Sequence, residues 1–246
     1  MLEELLSSKN LTEKQKLTVL LAQGKLLLSL TQYEDTIDVL FEAKAIALQL
    51  DEFLLGAQTN KLLGVVYYYQ GELELALAAY QQSLTFYEEE ANLGRLSNQL
   101  SIKKANLLNN IALVHTSMGN NTNALLHYQR ADSLYQQYGS EQDKVDVRLN
   151  IALLHVILKR FDIAIAMLTE VIASFELLGD ELPSIAKATA GLGLAYKHSG
   201  KYNLAKKYTL EALKYFQQNG HQHDTASELH NLSAIYIYLL DYENAI

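Results

Sequence analysis

Histidines are the residues best placed to do chemistry in this chain, and seven are present, with no cysteine beside them. His221-x-His223-Asp224 has chelate-like spacing. Two imidazoles and one carboxylate without a further fixed donor make a weak zinc site, since a structural site closes with four ligands. His115 and His155 stand where Tyr67 and Tyr196 stand in matching stretches, which marks them as packing residues. Ser199-Gly200-Lys201 hints at a phosphate loop. However, Ala195 occupies the place of its first glycine, and Tyr202 replaces the Ser or Thr that follows the lysine. Gly191-x-Gly193 falls inside a helical pattern with no preceding strand, so it is no dinucleotide fingerprint. Glu88 to Glu90 read as a solvated face or helix end, and no Ser/His/Asp or Cys/His arrangement is legible. The expectation is a protein that is not an enzyme, with no metal and no cofactor.

The elements that position these residues repeat. Leu63-Gly64-x-x-Tyr67-x-x-x-Gly71-x-x-x-x-Ala76 recurs as Leu192-Gly193-x-x-Tyr196-x-x-x-Gly200-x-Tyr202-x-x-Ala205. Units start near residues 17, 57, 105, 145, 186 and 226. Their eighth position reads Gly24, Gly64, Ala112, Ala152, Gly193, Ser233, small in every unit. Their twentieth reads Thr36, Ala76, Ala124, Ala164, Ala205, Ala245. Small side chains at two fixed places let two antiparallel helices approach closely, and a period near forty residues marks a solenoid.

Small and aromatic slots in this register resemble the tetratricopeptide repeat, across nearly the whole chain. The chain departs from the standard form in having no Trp and only one proline, Pro183. Its second helices instead continue through a further aromatic, at Tyr135, Phe175 and Phe216, to Gly139, Gly179 and Gly220, which read as left-handed C-caps. The long variety of repeat resembles those of spindle-orientation adaptors, kinesin light chains and bacterial regulatory proteins. The implied fold is all-α: a right-handed superhelical α-solenoid of antiparallel helix pairs, with five full repeats and a truncated sixth. It is expected to run as one domain over residues 1–246.

Details at the ends and in the middle follow from local signals. Leu2 to Ser8 predict a short N-terminal helix within residues 1–10. Thr12-x-x-Gln15 and Thr225-x-x-Glu228 are candidate capping boxes. Eight extra residues between Tyr87 and Ala105 amount to about two helical turns, so they can lengthen helices without rotating buried faces. Leu96, Leu100, Leu107 and Ile111 predict that the third unit's first helix begins early. The pattern stops at Ala245-Ile246, where a second helix should begin, which suggests a piece of a longer protein. Leu232, Ile235, Tyr236 and Leu239 are then expected to stay partly uncovered and to favour a homodimer through that end.

A net charge of −8 argues against non-specific nucleic-acid binding. No apolar run reaches the roughly 18–20 residues needed to span a bilayer, and the N-terminus lacks a signal-peptide pattern. A cytoplasmic protein without membrane contact is the expectation.

The resemblance further implies that the first helix of each unit lines a concave groove, with its second, fifth, sixth, ninth and twelfth positions facing inward. The sixth holds Asn110, Asn150 and Asn231, interrupted by Leu62 and Gly191. A carboxamide can both donate to and accept from a peptide backbone. Other inward positions carry Lys25, Lys61, Asn106, Asn109, Asp146, Lys187, Lys197 and His230, with Val65, Tyr68, Leu113, Leu149, Leu153, Val156 and Leu194 as apolar anchors. The lysines invert the sign of the whole chain on this face. The expected partner is a protein or peptide of acidic-hydrophobic character, held in the groove of an interaction scaffold. The alternative is a sensory input module of a larger bacterial signalling protein, whose output would be a kinase, diguanylate cyclase or transcription regulator.

Overall fold

The computed structural model describes residues 11–95, 97–179 and 183–240. The expected helix at residues 1–10 and the calls on Leu96 and Ala245 lie outside the described residues. Among the described residues there are eleven α-helices and no strand. They are α1 (Glu13–Ser29), α2 (Tyr33–Gln49), α3 (Phe53–Gln70), α4 (Leu73–Asn92), α5 (Asn98–Ser117), α6 (Asn121–Tyr138), α7 (Glu141–Ile157), α8 (Phe161–Leu178), α9 (Pro183–His198), α10 (Tyr202–Gln218) and α11 (Gln222–Tyr238). Odd-numbered helices are the first of each pair and even-numbered the second, in phase with the sequence register. The architecture is an α-helical repeat solenoid.

Two compact units divide the chain, one ending at Leu134 and the other beginning at Tyr135. In the first, α1 packs on α2, α2 on α3, α3 on α4 and α4 on α5, while α1 also touches α3. Its core is built around Leu17, Leu40 and Leu63 at one end and around Tyr80, Tyr87, Leu107 and Ile111 at the other. In the second, α7 packs on α8, α8 on α9, α9 on α10 and α10 on α11. Phe175, Leu168, Leu192 and Ala195 centre its core.

The small slots do what their size permits. A Cβ on Gly24 would lie 2.8 Å from Leu40, one on Gly64 would lie 2.5 Å from the Tyr80 ring, and one on Gly193 would lie 2.6 Å from Thr209 Oγ1. All three partners occupy the twenty-fourth position of their own unit, so one contact recurs between the two helices of a pair. Ala76, Ala124, Ala164 and Ala205 at the twentieth position are fully buried.

The turn joining the two helices of a pair is equally periodic. Its fifteenth position has a left-handed backbone in every unit: Thr31, Gly71, Gly119, Lys159, Gly200 and Leu240 have φ of 58, 80, 75, 58, 76 and 61°. In the first five units the next residue returns its N–H to the carbonyl of the eleventh position, as from Glu72 to Tyr67 at 2.9 Å and from Arg160 to His155 at 2.9 Å. This is the six-to-one bond of a Schellman ending.

The inserted residues lengthen α4 and α5 to 20 residues each, against 17 for α1. Ser97 caps α5 by accepting from the Leu100 N–H, so the early start is as expected. Thr12 and Gln15 form the expected capping box. Three other local expectations are corrected. Thr225 does not open a helix, because α11 already starts at Gln222 behind His221, leaving Thr225 and Glu228 inside it. Gly179 and Gly220 are left-handed, but Gly139 is not; its N–H still bonds the Tyr135 carbonyl at 2.8 Å, and Ser140 caps the next helix at once. Glu90 is not solvated but buried beside Arg95, 3.3 Å away.

Candidate binding site

In the first unit, α3, α4 and α5 enclose a shallow cavity, and α1, α3 and α5 carry a group of lysines. The cavity, about 120 Å³, is lined by Val65, Tyr68 and Tyr69 of α3, Tyr80 of α4, and Asn110 and Leu113 of α5. Asn110, Tyr68, Val65 and Leu113, all assigned to the inward face from sequence, therefore meet. The Asn110 carboxamide and the Tyr80 hydroxyl share this recess. Burial, with Tyr68 and Tyr69 adding to it, holds that phenol well above its ordinary range. Tyr68 reaches the Ser117 hydroxyl at 3.2 Å. That bond ties α3 to α5 beside the cavity.

Lys61 is half-buried on α3, and its pKa is lowered first by burial and then by Lys25 of α1 and Lys103 of α5. Three ammonium groups from successive first helices therefore share one field. None of them is in an ion pair among the described residues. Like charges that repel one another and lack partners form a place where an anion lowers the energy. Lys103 was missed from sequence because it precedes the assigned start of its unit. The early beginning of α5 was the signal that could have found it. Asn106 and Asn109 lie on the same helix and are already engaged within the protein.

The second unit uses its candidates differently. Asn150 is half-buried on α7 and engaged within the protein. Asn231 accepts from the Lys197 ammonium at 2.6 Å and donates to Glu228 at 3.3 Å. This knits α9 to α11 around a carboxyl only 5% exposed. Burial pushes the Glu228 carboxyl up to about 7, against the opposing pull of Asn231 and Lys197. The Lys197 and Asn231 side chains are thus turned into the protein, and Glu228, which sequence had placed at a helix start, is the centre of the group. Lys187 and His230 are exposed.

His115 and His155 are buried, as their packing role requires. His115 stacks on His127 with ring centres 5.4 Å apart. Burial lowers the pKa of all three. His221 and Asp224 stand 3.9 Å apart on the surface, and no group of three metal-ligating side chains occurs among the described residues. Leu232 and Ile235 are buried rather than left open. The exposed apolar side chains of this region are Leu229, Ile237, Tyr238 and Leu240. No helix of the described residues is long and apolar enough to cross a membrane.

Comparison with known proteins agrees with this architecture. Models of the tetratricopeptide repeat match residues 62–94, 103–177 and 186–219. No curated protein sequence matches the chain. Among solved structures, a Rap protein complexed with competence and sporulation factor superposes with a TM-score of 0.77 at 20% identity, over 99% of this chain and 66% of that one. BtubC from P. vanneervenii gives 0.66 at 20% identity, over 87% and 85%. A set of kinesin light chain nearly identical TPR-like repeats from Podosopora anserina gives 0.67 at 14% identity, over 86% and 100%. At such identities the likeness shows the fold alone, and this chain spans about two thirds of the Rap protein. With the repeat models, the helical register and the recurring small-residue contacts in agreement, the chain belongs to the tetratricopeptide repeat proteins.

Proposed function

We propose that this protein binds a segment of a partner polypeptide on the exposed side of its first helices, and that binding rather than catalysis is its activity. The observation that carries the proposal is the first unit's tyrosine- and asparagine-lined cavity, together with Lys25, Lys61 and Lys103 of α1, α3 and α5, which stand without ion-pair partners among the described residues. An apolar side chain fits such a recess, and a carboxylate beside it would meet the lysines. The favoured ligand is therefore an acidic-hydrophobic peptide, with charge contributing mainly to encounter and selectivity. Fold likeness to the Rap conjugation gene regulator of the plasmid pLS20, solved in complex with the Phr* peptide, supports peptide binding as a use of this architecture.

Selection of a random peptide display library on the purified chain tests the reading. Enriched peptides should combine acidic and bulky apolar residues, and Lys25→Glu with Lys103→Glu should weaken them about tenfold or more. Enrichment of basic peptides, or affinities untouched by the two reversals, would remove the assignment.

A second reading, the sensory module of a larger signalling protein, is favoured by one fact: the chain spans 66%, 65% and 71% of three Rap chains it resembles. Association of two copies through α11 belongs to the same proposal. It rests on exposed Leu229, Ile237 and Tyr238, and strictly monomeric sedimentation at high concentration would contradict it.

A further inference from the structure

A second surface, on the turn edge of the second unit, joins an apolar recess to a basic rim. The recess, about 400 Å³, is floored by Val156, Ile157, Phe161 and Leu194. It shares Lys159 and Phe161 with a neighbouring cleft of about 530 Å³, which adds Arg160, Ser199 and Lys201. Asp162 is the one carboxylate there. Lys159, Arg160 and Lys201 are all exposed and in no ion pair among the described residues. The Lys201 ammonium lies over the Tyr196 ring, 5.8 Å from its centre. Ile157 and Ile163, about half exposed, flank them.

Nothing in the fold asks for cations here. Arg160 and Lys201 are the residues immediately before α8 and α10, and neither side chain caps its helix. A positive group at that end opposes the helix dipole, which favours anions. The first unit follows that preference: Glu72 stands at the equivalent place before α4, and Glu34, Asp35 and Glu74 lie in first turns. Lys159 adds its charge from a left-handed position, a conformation that disfavours any side chain. The local field is felt by neighbours: burial lowers the pKa of His198, and Lys197 and Lys159 lower it further, while Arg160 adds to burial at His155.

We propose that this edge is a separate docking site for an acidic segment of a partner protein, with a bulky apolar side chain in the recess and flanking carboxylates on Lys159, Arg160 and Lys201. The occupant is set by charge complementarity: a chain of net charge −8 presents three clustered cations around an apolar floor. The site stands on the second unit alone, independently of the cavity in the first.

The test uses a fluorescein-labelled synthetic peptide with two leucines followed by three glutamates, titrated onto the full chain by fluorescence polarisation. A glutamine counterpart and a short oligothymidine serve as comparison probes. Arg160→Glu with Lys201→Glu is the informative variant, because Glu72 already occupies that position in the fold. The glutamate peptide should bind and the glutamine one should not. The double reversal should weaken binding about tenfold, as should raising ionic strength from about 0.05 M to about 0.5 M. Lys25→Glu with Lys103→Glu should leave at least part of the binding intact, which separates this site from the first. No binding of the glutamate peptide, binding unchanged by Arg160→Glu with Lys201→Glu, or equal binding of oligothymidine would each overturn the proposal.

Discussion

Replacing Gly64 by alanine tests how tightly the paired helices touch. The added Cβ would stand 2.5 Å from two carbons of the Tyr80 ring and 2.9 Å from a third, well inside contact distance. Tyr80 has little room to retreat, being 3% exposed. Overpacking of this kind costs about 1–3 kcal/mol. The third unit carries Ala112 and Tyr128 at the same two positions, so a slightly wider spacing is accessible and the low end applies. Alanine's better helix propensity returns about 1 kcal/mol. The net expectation is a loss of about 0.5–1 kcal/mol, or a urea midpoint lowered by roughly 0.3 M, followed by circular dichroism. A Gly64→Ala protein as stable as the parent, or more stable, would show that propensity alone governs this position and that the close approach is not real.

Lys159→Gly should raise stability by up to about 1 kcal/mol, since it relieves a left-handed side chain in a turn where Gly71 and Gly200 show that glycine fits; a drop in urea midpoint would contradict this. Glu228 supplies a pH signature. With its folded pKa raised to about 7 from 4.5, its contribution to stability is full below 4.5 and is lost as pH rises through 7. Glu228→Gln should therefore flatten the decline in melting temperature between pH 5 and pH 7.5, on the scale set by those two values; a parent and variant with parallel profiles would refute the burial argument. The buried histidines act in the opposite sense. His115, His127 and His155 have lowered pKa values, so in the Glu228→Gln protein, freed of the opposing carboxyl, stability should fall as pH drops below 6.5, and a variant whose stability is unaffected by acidification to pH 5 would count against it.

The fold was legible because its signal is repeated: any one small residue is weak evidence, but Gly24, Gly64 and Gly193 in register each face the same partner position. The helix phases and the lengthened α4 and α5 followed from that register. Local signals did worse where tertiary burial overrode them. Thr225-x-x-Glu228 has the form of a capping box, yet His221 ends the preceding turn earlier and Glu228 is drawn inside against Lys197. Spacing did not reveal the state of the residues assigned to the inward face. Asn110 and Tyr68 do meet in a cavity, whereas Asn231 and Lys197 satisfy each other, and no spacing rule distinguishes a side chain offered to a ligand from one bonded to its neighbour. The basic turn edge was visible as Lys159-Arg160 and Lys201, but only the pairing of α7 to α10 brings these residues around one recess.

The measurement that bears most directly on the account is hydrogen–deuterium exchange of the full chain with and without a peptide enriched by display. Slowed exchange confined to first helices, above all in α3 and α5 around Tyr68 and Asn110, is the predicted result. Protection centred on the second helices α2 and α4, or none at saturating peptide, would contradict it.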